Sequence, residues 1–202
     1  MDPKELADLN YDNRSLAIGS NSLTYRVEGD GELKIILLHG LNSHSGTWRK
    51  CLPKLALRAK VVAPSLPPHK GKASSELAGR YAELVSALCE KAGIESAVVI
   101  GNSMGGWVAM RLASVDRNLV SRIVLEDSAG VESEDVAAVE KAGIPILIVW
   151  GESDAVLTLG TGKKLHSRLS KSGMSVLPGA GHVPHWERPD EFVRVIEDFV
   201  RG

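Results

Sequence analysis

Three residues whose types can share one acyl-transfer reaction occur along this 202-residue chain in the order Ser103, Asp154, His182. A serine hydroxyl is a weak nucleophile until a base takes its proton. An imidazole titrating near neutrality suits that task, and an acid beside it fixes its tautomer and stabilises its charge. Ser103 lies in "VVIGNSMGGWVAMRLA", a G-x-S-x-G pattern at residues 101–105. Glycine and serine are both common, so the pattern acquires meaning only from a strand before it and a helix after it. Both signals are present: "AVVI" reads as a buried strand, and Val108, Leu112 and Val115 follow at helical spacing. Gly101 and Gly105 supply the absent side chains that a tight strand-to-helix turn requires. Ser153 in "IVWGESDA" also follows a strand and a glycine, but the second glycine is missing and an acid comes next.

Six histidines compete for the role of base. His182, in "LPGAGHVPHWERPDEF", stands just past the last strand among small residues and is the expected base. His185, three positions on and beyond Pro184, reads as a loop-packing or surface histidine, and His39 as a residue serving the turn at Gly40. His44, His69 and His166 have no post-strand placement in their favour. For the acid, Asp154 in "GESDAV" is expected, with Asp127 in "LEDSAG" as the alternative one strand earlier. Glu126 reads as part of its strand and Glu152 as lying on the wrong side of its turn. Two backbone N–H groups should hold the oxyanion. They belong to the residue after the nucleophile, Met104, and to Leu41 in the loop after the third strand.

These residues need a scaffold that brings strand ends together. "SLAIG" and "SLTYRVEG", separated by Ser20-Asn21, read as an opening hairpin. "LKIILLHG" is a continuous apolar run of the kind buried on both faces of a parallel sheet. "AKVVAP", "SAVVIG", "SRIVLED", "PILIVWG" and "MSVLPG" repeat the signal at intervals that admit helices. Leu77, Tyr81, Leu84, Val85 and Leu88 share one helical face across 74–91. Phe192, Val195, Ile196, Phe199 and Val200 do so near the C-terminus, with Pro189 as first helical residue. Between Asp127 and Pro145 there is room for a single helix, capped by Ser133 and stopped by Gly143. The expectation is an α/β, mostly parallel, doubly wound sheet in one domain over residues 1–202. In such sheets ligands bind beyond the carboxyl ends of the strands. His39-Gly40-Leu41, Ser65, Asn102-Ser103, Glu126-Asp127-Ser128, Glu152-Ser153-Asp154 and Gly181-His182 should therefore share one rim.

Charged residues make up 24% of the chain and the net charge is −1, so there is no basic field to hold a phosphate backbone, and no nucleic-acid partner is expected. Cys51 and Cys89 match no metal-ligand spacing and read as reduced, partly buried thiols. The first twenty residues show no signal peptide, and no apolar run approaches the roughly 20 residues of a membrane span. A cytoplasmic protein without membrane partners is expected; the oligomeric state is not encoded in any visible pattern.

With its four segments in order, the chain resembles the α/β-hydrolase superfamily over essentially all its length. "LLHGLNSHSGTW", "GNSMGGWVA", "ILIVWGESD" and "GAGHVPHWERPDEF" look like that family's oxyanion, nucleophile, acid and histidine segments. The resemblance implies about eight strands with the second antiparallel, no cofactor and no metal. Many relatives insert a helical cap after the sixth strand, whereas only residues 128–144 are available here, so a capless (lidless) member is expected. Relatives often read Asp-Leu-Pro-Gly after the fourth strand; this chain carries Ser65 and Pro68 at the first and last of those positions. The function expected is a short-acyl serine carboxylesterase acting on a small-molecule ester through an acyl-enzyme. Alternatives are a C–C bond hydrolase of dienoic ring-cleavage products, suggested by "GNSMGG" and Trp186-Glu187, a thioesterase, amidase or deacylase, or a slow hydrolase-like binding or signalling protein.

Overall fold

A computed structural model describes residues 13–18 and 21–202. The apolar runs become β1 (Asn13–Ile18), β2 (Asn21–Glu28), β3 (Leu33–Leu38), β4 (Ala59–Ser65), β5 (Ala97–Asn102), β6 (Val120–Glu126), β7 (Ile146–Gly151) and β8 (Ser172–Leu177). They form one eight-stranded sheet in the order β1-β2-β4-β3-β5-β6-β7-β8. β2 runs antiparallel to both its neighbours, and the pairings from β4 to β8 are parallel. The opening hairpin forms, with one correction: Asn21 is the first residue of β2 and pairs with Ile18. The connection thus falls on residues 19–20, outside the described residues.

The strands are apolar on both faces because both faces are covered. Ile36 and Leu38 of β3 enter one core while Ile35 and Leu37 enter the other, as the two-residue period of a strand requires. The first core is closed by α2 (Ser75–Lys91), α3 (Met104–Val115), α4 (Glu134–Ala142) and α5 (Leu159–Arg168). The second is closed by a 3₁₀ turn over Ser45–Lys50, α1 (Leu52–Ala56) and α7 (Pro189–Arg201), through Trp48, Leu52, Leu55, Phe192 and Ile196. A four-residue α6 (Pro184–Glu187) leads into α7, which begins at Pro189 as expected. Val115 departs from its expected place in the α3 core face. It is 62% exposed, because the helix ends there and the last turn has passed the packed region.

α4 lies alone between β6 and β7, so among the described residues no cap domain covers the strand ends. Gly143 ends it at φ 64°, a left-handed turn that glycine enters without steric cost, and its N–H bonds to the carbonyls of Val139 and Glu140. Ser133 occupies the N-cap position, but its side chain makes no capping bond. The order of crossovers reverses at β3, which pairs with β4 on one side and β5 on the other. That reversal opens a crevice past the ends of β3 and β5, where the loops carrying Leu41 and Ser103 emerge. Among the described residues no helix is long and apolar enough to cross a membrane.

Candidate active site

Ser103 sits at the junction of β5 and α3 with φ 53° and ψ −115°, a backbone conformation that L-residues rarely adopt. Its main chain is bound on both sides, since its N–H donates to Glu126 O at 2.9 Å and its carbonyl accepts from Ala129 N at 2.9 Å. The flanking glycines allow the turn to close. A Cβ on Gly101 would lie 2.2 Å from the Gly105 carbonyl oxygen, and one on Gly105 would lie 2.2 Å from that of Leu38. Both obstacles are backbone and cannot swing aside. Gly101→Ala is therefore expected to lower stability by about 1–3 kcal/mol. Displacement of the elbow should lower turnover at least ~10²-fold, since a shift of about 1 Å misaligns reacting atoms. Urea denaturation and ester turnover measure the two effects; an unchanged midpoint would contradict the contact.

His182, past β8, places Nδ1 2.8 Å from Asp154 Oδ2. The other Asp154 oxygen accepts the N–H groups of Val156 at 2.7 Å and Leu157 at 3.0 Å. Burial pushes the Asp154 carboxyl up, but hydrogen bonds from His182, from Asp127 and from those two N–H groups outweigh it. Its pKa is held below the ordinary aspartate value. An ionised Asp154 accepts the proton on Nδ1, which leaves the Nε2 lone pair free to act as base. Ser103, His182, Leu41 and Met104 all line one cavity of about 460 Å³. Ser103 Oγ and His182 Nε2 share that cavity without a direct hydrogen bond, a contact that in unliganded sites often closes only when substrate is bound. The N–H groups of Leu41 and Met104 have no acceptor among the described residues. A second cavity of about 680 Å³, walled by Trp107, Val131 and Thr161, shares Ala129 and Leu157 with the first and extends the crevice.

His185 and His39 are engaged elsewhere. His185 is fully buried, with Nδ1 on Glu126 Oε2 at 2.7 Å, Nε2 on Thr47 Oγ1 at 2.9 Å, and its ring stacked on Trp48 at 3.8 Å. Of the two readings for His185, loop packing is the observed one. His39 accepts from Leu66 N at 2.8 Å through Nε2 and so donates through Nδ1 to Gly40 O at 2.7 Å. Burial holds its pKa down at about 4, so it braces the Leu41 loop as a neutral ring. Ser65 bonds to Ser45 Oγ at 2.9 Å, and Tyr81 Oη donates to Pro67 O. The altered loop after β4 is thus tied to its surroundings.

Several positioning residues carried no role in the sequence reading. Asn102 Nδ2 donates to His182 O at 3.0 Å. Glu187 accepts from Gly181 N at 2.7 Å and Val183 N at 3.2 Å, clasping the histidine loop on either side of His182. Glu126, read only as part of its strand, ends β6 with a buried carboxylate that holds His185 by both its backbone N–H and its ring. The one available signal was the Trp186-Glu187 pair.

Asp127 is fully buried behind Asp154 at φ 42°, and it accepts from Gly151 N at 3.0 Å. His182 bonds to Asp154 and not to Asp127. Among the described residues, Asp127, Asp154 and His182 are the group with ligand atoms close enough for a metal ion, all within 4.8 Å of one another. Those atoms already bind one another and backbone N–H groups, which is the chemistry of a proton-holding relay and not of an open coordination site.

A family model described as the alpha/beta hydrolase fold matches residues 34–141. An uncharacterised protein of Mycobacterium tuberculosis is 25% identical, over 87% of this chain and 77% of its own length. A putative protein-lysine deacylase of Rattus norvegicus is 24% identical, over 97% of this chain and 99% of its own. Among solved structures, a predicted CIB-like hydrolase from Thermoplasma acidophilum is 25% identical with a TM-score of 0.82, covering 95% of this chain and 98% of that one.

Proposed function

The chain belongs to the alpha/beta hydrolase fold family, and from that premise we propose that it is a serine hydrolase cleaving small carboxylic esters through an acyl-enzyme. The observation that carries this reading is the Asp154–His182 pair at 2.8 Å, facing the same cavity as a serine raised on a strained elbow. Ser103 Oγ attacks the ester carbonyl carbon while His182 Nε2 takes its proton. Asp154 holds Nδ1–H and stabilises the imidazolium. The oxyanion of the tetrahedral intermediate is bound by the N–H groups of Leu41 and Met104, which have no competing acceptor among the described residues. His182 returns the proton to the leaving alcohol. Water, deprotonated by the same nitrogen, then attacks the acyl carbon and restores Ser103.

Small soluble esters fit because, among the described residues, no cap covers the strand ends and Val156, on the cavity wall, is 68% exposed. A cytoplasmic location goes with such substrates. A second reading has one observation in its favour. The rat relative, putatively a protein-lysine deacylase, matches this chain over nearly its whole length, so both share the compact form. Its chemistry would use the same three residues on an amide.

A fluorophosphonate probe combined with a panel of p-nitrophenyl esters, thioesters and acyl-lysine peptides tests both readings. Labelling at Ser103 with kcat/KM highest on short-acyl esters is expected. Preference for the acyl-lysine peptide would replace the ester reading with the second one, and labelling at any other residue would overturn both.

A further inference from the structure

Behind the Asp154–His182 pair lies a second carboxyl group that the mechanism above does not use. Asp127 follows β6 directly and is fully buried at the left-handed φ of 42°. It is held there from two sides, its backbone N–H donating to Val149 O at 3.1 Å and its Oδ1 accepting from Gly151 N at 3.0 Å. Its carboxyl lies beside that of Asp154, with an oxygen of each and a ring nitrogen of His182 all within 4.8 Å of one another. Two carboxylates have only acceptors to offer each other and repel when both are ionised, so a pair this close and this buried favours a proton on one of them.

The surroundings decide which one. Asp154 faces three donors: His182 Nδ1 and the N–H groups of Val156 and Leu157. Asp127 faces one, Gly151 N, and its other charged neighbours are the buried carboxylate of Glu126 on its own strand and Asp154 itself. The histidines packed nearby do not reach it, because His185 is bound to Glu126 and His182 to Asp154. The group with fewer donors and more negative neighbours keeps the proton.

We infer that Asp127 acts as a neutral carboxylic acid, donating its Oδ–H to the Asp154 carboxylate and so positioning it for His182. Its role is that of a positioning residue, acting through Asp154, and the inference rests on the serine-hydrolase reading above. A neutral donor at this place holds the orientation of Asp154 without adding a second negative charge beside the imidazole. Two ionised aspartates there would make His182 a stronger base but a poorer acid for the leaving group.

Burial, the Glu126 charge and the Asp154 contact push the Asp127 carboxyl up to about 10, so the proton is retained across the working range. In the unfolded chain the same group titrates near ~4. Between those values the unfolded state releases a proton that the folded state keeps, so this group's contribution to stability falls as pH rises through that window.

Asparagine mimics the protonated form, with a carbonyl for Gly151 N–H and an N–H₂ for Asp154. Asp127→Ala is expected to lose about tenfold or more in kcat, the order of one hydrogen bond to a charged group, with KM little changed. Asp127→Asn is expected to recover most of that loss and to leave the acid limb of the pH–kcat/KM profile where it stands in the wild type. Removal of an ionised carboxylate would instead move that limb down by about one unit or more, and such a shift would overturn the inference. So would an Asp127→Asn variant as slow as Asp127→Ala.

Two readouts are independent of turnover. In the infrared, the wild type at neutral pH should show the C=O stretch of a protonated buried carboxyl, absent from Asp127→Asn. Asp127→Asn should also melt above the wild type at pH 8, with the gap closing as pH falls towards ~4. A pH-independent gap, or no protonated band to lose, would overturn the assignment. If Ser103→Ala kept its turnover the reading of the site would fall, while the infrared and melting results would still decide where this proton lies.

Discussion

Ser103→Ala is expected to lose at least ~10³ in kcat on a short p-nitrophenyl ester, with KM changed little, as deletion of a nucleophile removes an interaction made on the way to the transition state. The residual rate would come from the N–H groups of Leu41 and Met104, which remain in place to bind the oxyanion. What makes the prediction sharp is that the hydroxyl does no structural work. Ser103 Oγ makes no hydrogen bond among the described residues, and the bonds that fix the turn belong to its main chain. Loss of the oxygen should therefore leave stability within about 0.5 kcal/mol of the wild type. Ser103→Gly separates the two effects further. It abolishes the chemistry equally, but glycine accepts φ 53° without the strain of a Cβ, so it should exceed Ser103→Ala in stability by about 1 kcal/mol. Ester turnover beside urea denaturation of both variants gives the comparison. Retained turnover in Ser103→Ala, or a large loss of its stability, would remove Ser103 from its role.

The strain at Ser103 also shows what could be read before any coordinates. The two glycines at 101 and 105 announced a close approach, and its cause is that a Cβ at either position would lie 2.2 Å from a backbone oxygen. Long amphipathic helices such as α2 and α7 declared themselves by period, and the doubly covered strands by continuous apolar runs. Asp154 and His182 were legible because each follows a strand whose end must reach the same rim. Three kinds of feature were not legible. The 3₁₀ turn at Ser45–Lys50 and the short α1 and α6 hold too few turns to show periodicity. The clasp of Asn102 on His182 O is a side chain-to-backbone bond that leaves no pattern in residue type, and the Trp186-Glu187 pair marked the place of Glu187 but not its clasp on the histidine loop. Glu126 and His185 are 59 residues apart in sequence, and nothing in "VLEDSAG" signals that its glutamate will be buried against a histidine. Asp127 is the instructive case. It could be placed at the rim as an alternative acid, but its distance from the imidazole and its want of donors appear only when β6, β7 and β8 lie side by side.

Those donors lead to the second large effect. Asp154→Asn is expected to lower kcat by about 10⁴-fold at neutral pH while the fold persists, on the precedent of the same change in a serine-triad enzyme. The reason lies in the two N–H groups of Val156 and Leu157, both aimed at Asp154 Oδ1. An asparagine there must turn its amide oxygen towards them, because the alternative sets N–H against N–H. Its NH₂ then faces His182 Nδ1, which can receive it only as a lone pair. The imidazole proton must move to Nε2, where it points into the cavity in place of the lone pair that Ser103 requires. Nitrogen-15 NMR of the histidine ring reports the tautomer directly: Nδ1–H in the wild type, Nε2–H in Asp154→Asn. The neighbouring Asp127→Asn should keep Nδ1–H and most of the turnover. Two adjacent carboxyls, changed identically, are thus expected to differ by roughly four orders of magnitude in rate. Equal losses in the two variants, or an unchanged tautomer in Asp154→Asn, would show that Asp154 does not hold the imidazole in this way.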